Sequence, residues 1–381
     1  MENLPPLQLL KTPIHAWHIQ NGAKMADFGG WEMPIEYSSY QDVNGEKGGV
    51  LAEHLAVRNT VGLFDVSHLG KIEVSGAGAI DFLNTQLTNN LSKLVDGQAQ
   101  YNLLCNQAGG VIDDLIVYRR SGDDCLLIPN AANCAQVFNV IKANSDKLII
   151  SNAHKKYAVF ALQGPNSDQV LKELGIKLNL EYMSFTQIKL PALEGLGEII
   201  VCRTGYTGEF GYEFLPNWQV AQEFWQLLIT TVHKAKGRVC GLGARDTLRT
   251  EMGYSLHGHE LSTEISPLQA NSGWAVALNK GEFLGSSALV AEKSGGGKRL
   301  LRGLKVLDRA IPRPGMSVQS VDGKNCGEIT SGTFSPSLKH GVALALLSPS
   351  LKIGDIVNID VRGRISQAEI VKPPFVESRV R

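Results

Sequence analysis

Two aspartates stand side by side, Asp113 and Asp114, inside the stretch NQAGGVIDDLIVYRR (Asn106–Arg120), which is otherwise apolar from Val111 to Tyr118. The stretch reads as a strand, yet aspartate is depleted in strands and a carboxylate withdrawn from water needs a partner. With period-two alternation, Ile112, Asp114, Ile116 and Tyr118 share one face, and Val111, Asp113, Leu115 and Val117 share the other. One reading sends one aspartate to solvent and ties the other to a turn backbone. The other places Asp114 with Tyr118 in a cavity, where a carboxylate orients a bound amine or accepts its proton. Alternation alone leaves both open.

A second constellation is RTGYTGEFGYEF (Arg203–Phe214). Gly205, Gly208 and Gly211 permit a tight, irregular chain path, and Glu213 leaves its strand on the face opposite Tyr212 and Phe214. The phosphate-binding pattern G-x-x-x-x-G-K-[ST] is absent and the local charge is acidic. A carboxylate such as Glu213 instead matches a planar ligand edge carrying two parallel donors. In GLGARDTLRTEMGY (Gly241–Tyr254), Arg245, Arg249 and Glu251 could form structural ion pairs. Arg245, beside a small-residue turn, could instead clamp a ligand carboxylate. The HGHE at His257–Glu260 lacks the H-E-x-x-H spacing and a nearby cysteine, so no metal is expected. Ser67 and His68 are neighbours that point to opposite faces of a strand, so they make no nucleophile–base pair.

The elements that must position these groups fall into three blocks. The first expects a strand at Lys71–Val74, a helix capped by Ser75 and running to Leu87, strands at Ala99–Cys105, Val111–Tyr118 and Cys125–Pro129, a helix at Ala131–Ala143 and a strand at Lys147–Ser151. That order is the ferredoxin-like split βαβ pattern. A similar order recurs, with strands at Tyr157–Leu162, Phe185–Leu190, Glu198–Arg203 and Tyr212–Leu215 and helices at Pro165–Leu174 and Trp218–Lys234, which points to an internal duplication. After EKSGGGK (Glu292–Lys298), a flexible linker by composition, short strands at Leu300–Val306, Met316–Ser320, Glu328–Ser331, Gly341–Leu347, Ile356–Val361 and Gln367–Val371 predict a small antiparallel barrel or jelly roll.

At 381 residues the chain has room for two or three domains. Its 37 Lys and Arg balance 37 Asp and Glu, which argues against a surface built to coat nucleic acid. Six scattered cysteines without a C-x-x-C pair read as reduced thiols. With no secretion-type leader and no apolar run of membrane-spanning length, a cytoplasmic protein with no membrane partner is expected.

Six motifs together carry a resemblance: GAKMADFGGWEMPIEY (Gly22–Tyr37), VGLFDVSHLG (Val61–Gly70), GGVIDDLIVY (Gly109–Tyr118), GYTGEFGYEF (Gly205–Phe214), GLGARDTLR (Gly241–Arg249) and TSGTFSPSL (Thr330–Leu338). In this order they resemble the T-protein of the glycine cleavage system, a tetrahydrofolate-dependent aminomethyltransferase, from about Thr12 onward. The resemblance implies an α+β fold with two ferredoxin-like domains and a C-terminal antiparallel barrel around a central folate cavity. The expected division is 1–66 with 155–275 as a discontinuous folate-binding domain, 67–154 as the second domain carrying Asp114, 276–298 as linker and 299–381 as barrel. The implied co-substrate is tetrahydrofolate, and the implied partner is the lipoyl carrier H-protein, whose aminomethyl group yields methylenetetrahydrofolate and ammonia. Asp114 matches the family's key acid. Glu213 matches the carboxylate that grips the pterin edge, and Arg245 the arginine near the benzoyl-glutamate tail. Tyr101, Tyr118, Asn130, Tyr206 and Trp274 match cavity positions, and Arg381 is assigned to the tail; Asp113 is left a structural part.

The sequence departs from the family at Leu69, where many members carry methionine, and at Phe210, where an acid is frequent. Gln41–Gly49 reads as an inserted, exposed loop. Two further readings stay open: a folate-dependent demethylase of a small methylated substrate on the same scaffold, and a non-catalytic folate-binding module. The absence of a G-x-G-x-x-G strand–turn–helix near the start counts against a flavin fusion, and the joint presence of Asp114, Glu213 and Arg245 favours catalysis.

Overall fold

The computed structural model describes residues 8–41, 45–145, 147–190 and 197–381. Helix α1 (His15–Gln20) precedes a hairpin of β1 (Lys24–Phe28) and β2 (Trp31–Glu36). Helix α2 (Val50–Asn59) leads into β3 (Gly62–Asp65). The next run is β4 (Ile72–Ser75), α3 (Ala79–Gln86), β5 (Gln98–Cys105), β6 (Val111–Ser121), β7 (Asp124–Pro129), α4 (Cys134–Ala143) and β8 (Ile149–Asn152). The same succession then repeats as β9 (Phe160–Gln163), α5 (Ser167–Glu173), β10 (Phe185–Lys189), β11 (Glu198–Cys202), β12 (Gly211–Leu215), α6 (Ala221–Lys234) and β13 (Arg238–Cys240).

The duplication visible in element order is a duplication of topology. One sheet has the order β5–β6–β7–β4–β8 and the other β10–β11–β12–β9–β3–β13. They correspond strand for strand, except that β3 is wedged between β9 and β13, antiparallel to the first and parallel to the second. The first sheet is thus a split βαβ unit widened by one strand, and the second is widened by two, β3 being the extra one. Since β3 precedes β4 in the chain, the whole β4–β8 block is spliced into the polypeptide that forms the other sheet.

Each block buries its own core. Helix α6 lays Phe224, Trp225, Leu228 and Val232, spaced for one helical face, against Phe160 and Phe214 of its sheet. Helices α3 and α4 cover the other sheet through Leu83 and Ile141, which join Ile72 and Val117. Each such side chain contributes roughly 1.5–3 kcal/mol on full burial. Helix α3 departs from expectation at its start. Ser75 does not cap it; Ser75 is the last residue of β4, paired with Asp124, and the chain turns through Gly76 and Gly78 at positive φ before Ala79.

After β13 come helix α7 (Leu242–Met252), which the sequence reading did not anticipate, and helix α8 (Ser286–Gly295). Helix α8 lies where a flexible linker was expected and runs into EKSGGGK itself. Its Leu289 is buried with Leu103 and Leu301, so this segment is packed down by an apolar anchor. The strands β14 (Leu300–Val306), β15 (Ser317–Gln319), β16 (Asn325–Ser335), β17 (His340–Leu347), β18 (Ile356–Val361) and β19 (Arg364–Val371) form a closed barrel in the order β14–β17–β16–β15–β18–β19. Among the described residues no helix is long and apolar enough to cross a membrane. All six cysteines are free, and five of them are buried. In the Gln41–Gly49 segment, residues 42–44 lie outside the described set; Gln41 bridges to Lys47, and exposed Glu46 meets Arg238.

A buried polar cluster ties α2, α7 and the barrel together. Arg58 of α2 donates through Nε and Nη2 to Glu251 Oε2 of α7 (3.1 and 2.8 Å) and through Nη1 to Glu209 Oε1 (3.0 Å). The other Glu251 oxygen accepts the Ser335 hydroxyl at 2.5 Å and the Ser337 backbone N–H at 3.2 Å. Arg249 bonds Asp246 and Glu260 and reaches Ser331 of the barrel. Of the three charged residues singled out in this motif, Arg249 and Glu251 are structural, while Arg245 forms no ion pair among the described residues.

Candidate active site

A cavity of about 480 Å³ opens between the two sheets, within the size range of small-molecule sites. Strand β6 turns Asp114, Ile116 and Tyr118 into it, as alternation requires, and Asp113 away from it. Strand β12 contributes Glu213 by the same rule, with Tyr212 and Phe214 buried in the core behind. Arg245 enters from the first turn of α7, Tyr206 from the glycine-rich loop, Tyr101 from β5 and Asn130 from the end of β7. Trp274 closes the rim, 70% exposed and stacked on Tyr101 with ring centres 5.3 Å apart.

The polar groups are few and specifically held. Tyr101 donates its hydroxyl to Asp114 Oδ2 at 3.1 Å, and Asn130 Nδ2 donates to Asp114 Oδ1 at 2.8 Å. Burial nevertheless raises the Asp114 carboxyl above the usual range, against the pull of these donors and of His257. Glu213 is raised too, by burial first, although it accepts the Thr204 hydroxyl and feels the charge of Arg245. Because that hydroxyl is committed to Glu213, the Tyr118 hydroxyl donates to Thr204 Oγ1 at 3.2 Å. The Arg245 guanidinium lies 4.4 Å from the Tyr206 ring centre, a cation–π contact that holds it against the cavity wall. Tyr206 is itself fixed by its hydroxyl on the Ser255 carbonyl.

The glycines that let the loop reach the cavity have structural reasons. Gly208 sits at φ +79°, and a Cβ there would fall 2.2 Å from Met252 Sδ. A Cβ on Gly205 would fall 2.0 Å from Gln163 Oε1. The result is an apolar slot with two carboxylates and one guanidinium exposed to its interior. It suits a flat ligand with N–H donors on one edge and an anionic group elsewhere.

Comparison with known proteins bears on what that ligand is. Residues 14–280 match the GCVT N-terminal domain family, and residues 299–377 match the glycine cleavage T-protein C-terminal barrel domain. The chain belongs to the glycine cleavage T-protein family. An aminomethyltransferase of Parafrankia sp. (strain EAN1pec) is 51% identical over 98% of this chain and 100% of its own length. The aminomethyltransferase of Mycobacterium tuberculosis (strain ATCC 25618 / H37Rv) is 48% identical over the full length of both chains. The crystal structure of glycine cleavage system aminomethyltransferase T from Bartonella henselae superposes with a TM-score of 0.88, at 31% identity, over 97% of this chain and 99% of that one. This T-protein is therefore an aminomethyltransferase, and its α+β fold with a closed C-terminal barrel is that of the family.

Within this T-protein, eight of the nine residues named from the sequence converge on one cavity: Tyr101, Asp114, Tyr118, Asn130, Tyr206, Glu213, Arg245 and Trp274. Arg381 does not line it; its guanidinium lies 6.0 Å from the ring centre of Tyr182, which does. Of the departures from the family pattern, Leu69 forms part of the wall. Phe210 lies outside, 3.6 Å beneath the Arg203 guanidinium, which in turn bonds the Val380 carbonyl. Among the polar wall residues that escaped the sequence reading, Thr204 and His257 act on the two carboxylates. Thr204, which holds Glu213, is an unremarked neighbour in RTGYTG, in the irregular segment after β11 where alternation no longer marks a face. His257 belongs to the HGHE set aside as a metal site, and the structure turns it toward Asp114 with its Nε2 on the Val111 carbonyl at 3.2 Å.

Proposed function

We propose that this T-protein takes the one-carbon unit from the aminomethyl group on a dihydrolipoyl arm of an H-protein and delivers it to tetrahydrofolate. The carbon–sulfur bond breaks and the arm keeps a thiol. The carbon bonds to folate N5 and then to N10, and nitrogen leaves as ammonia. The observation that carries this reading is the meeting of Asp114 and Glu213 in one apolar slot, each on a strand that fixes its direction. A pterin presents paired N–H donors along its amino-pyrimidine edge, and the Glu213 carboxylate matches them in a bidentate manner. Tyr118 and Ile116 supply apolar wall, Trp274 and Tyr101 a stacking platform at the rim, and Arg245 a cation for a ligand carboxylate. Arg381, above Tyr182, is assigned to the anionic tail.

Asp114 then faces the folate nitrogens, where positive charge develops as carbon is transferred, and a prepositioned carboxylate stabilises that charge. The protein supplies no covalent nucleophile. The test mixes the protein with aminomethyl-loaded lipoyl carrier and tetrahydrofolate and follows ammonia and methylenetetrahydrofolate together. Equimolar, folate-dependent release of both is expected. Folate binding without either product would overturn the reading in favour of a demethylase or a binding module. Glu213→Ala is expected to weaken folate binding by about 2 kcal/mol, some 30-fold, because it strands ligand donors in a desolvated slot. A calorimetric dissociation constant equal to that of the wild type would remove Glu213 from the pterin site.

A further inference from the structure

Asp113 takes no part in the proposed chemistry, yet it is the most completely satisfied acid beside the cavity. Its carboxylate is fully buried. Oδ2 accepts the Asn130 backbone N–H at 2.9 Å, and Oδ1 accepts Asn130 Nδ2 at 2.9 Å and Asn133 Nδ2 at 2.7 Å. The same Asn130 Nδ2 lies 2.8 Å from Asp114 Oδ1 and 3.1 Å from the Asp114 carbonyl. A side-chain amide has two N–H bonds in one rigid plane. With one turned to each carboxylate, Asn130 is a splint between the aspartates.

We propose that Asp113 is the positioning residue for Asp114: it clamps the Asn130 amide, which fixes Asp114 Oδ1 and leaves Oδ2, steadied by Tyr101, to meet the ligand. The inference rests on the reading that Asp114 acts on the folate. A simple cap on the short turn Ala131–Asn133 would need only the backbone bond from Asn130. The two additional amides, Asn130 and Asn133, have no capping role; they fix a direction. The geometry also follows from the register. Pairing of β6 with β7 ends at Leu115 opposite Pro129, so Asn130 emerges level with Asp114 and within reach of Asp113 on the other face.

The arrangement has an electrostatic side. Burial raises both carboxyls, and the charge of Asp114 adds to the rise of Asp113, so the two titrate as a pair. The other ionisable groups facing the pair are Tyr101 from β5, His257 from the segment after α7, and Tyr206 with Arg245 across the cavity. Cys134, at the start of α4, lies behind Asp113. Asn130 donates to both members of the pair, and Asn133 to Asp113 alone. A change at either member therefore moves the titration of the pair.

The test compares kcat–pH profiles and folate dissociation constants for the wild type, Asp113→Asn, Asn133→Ala and Asp114→Asn, all as full chains with loaded carrier. Asp113→Asn and Asn133→Ala are expected to lower kcat by about 10-fold, to leave folate affinity near that of the wild type, and to move the acidic limb of kcat. Asn133 touches neither the cavity nor Asp114, so it carries the test alone if Asp113→Asn does not fold. Wild-type kcat and an unmoved limb in a folded Asn133→Ala or Asp113→Asn, with Asp114→Asn inactive, would reduce Asp113 to a cap and overturn the inference. Full activity of Asp114→Asn would remove the parent reading, and this inference with it.

Discussion

Asp114→Asn is expected to lower turnover by about 100-fold or more, with folate binding retained and the folded state no less stable than that of the wild type. The amide keeps the shape of the carboxylate and can still meet Tyr101 and Asn130, so the slot is preserved. It carries no charge, so the transition state loses its counter-ion in a site where water cannot replace it. The stability half of the expectation follows from the direction of the shift. Burial holds the Asp114 carboxyl above its ordinary value. A group raised in the folded state contributes stability in full below its unfolded pKa, near 3.9, and that contribution is lost as pH rises through the folded one. At neutral pH the wild type therefore carries a penalty that the amide lacks. Single-turnover kinetics and thermal melts at pH 7 check both halves. Unchanged turnover removes Asp114 from the mechanism, and a melting temperature well below that of the wild type contradicts the account of its burial.

Glu251→Ala is expected to cost about 3–5 kcal/mol of stability, because it leaves Arg58 buried without its main counter-charge. It also frees the Ser335 and Ser337 donors, which link α7 to the barrel. Burial pushes the Glu251 carboxyl up, but the bonds from His54 and Ser335 and the charge of Arg58 prevail and bring it to about 2. A depressed carboxyl contributes stability that is present above the unfolded value, near 4.3, and lost as pH falls toward 2. Wild-type stability should therefore drop through that window, with a smaller drop in the variant. Urea midpoints measured from pH 7 down to pH 3 would show both effects. Equal midpoints at pH 7 would mean that the barrel is held by its apolar contacts alone.

Much of this was legible because alternation is a local rule. The opposite facing of Asp113 and Asp114, and of Glu213 against Tyr212 and Phe214, follows from a period of two once the strands are recognised. The repeat of element order was visible as well, although the residues of the two blocks have diverged. What stayed hidden was set by partners far away in sequence. Arg58 finds Glu209 and Glu251 across more than a hundred residues, and nothing in their local segments marks them as a cluster. Asp113 was left a structural part because the resemblance gave the key acid to Asp114, and its amide partners lie beyond a turn whose geometry only the folded chain supplies. Ser75 looked like a cap by residue type, but the glycines after it moved the helix start. The glycine-rich linker concealed α8 because its apolar anchor, Leu289, precedes the glycines.

The splice of one block into the other has a consequence for biosynthesis. Strands β4 to β8 form a contiguous run, closed at Asn152, so this sheet has all its strands as soon as that residue leaves the ribosome. Strand β3 emerges earlier and must wait for β9 and β13, the latter at Arg238–Cys240. Domains generally fold as units during synthesis, so the later-starting block is expected to finish first while β3 and α2 are still unpartnered. Nascent chains stalled with Asn152 exposed should resist protease across β4 to β8 and be cut near β3. Protection of both together would contradict that order. The cavity, assembled from both sheets, forms only after the waiting strand has been claimed.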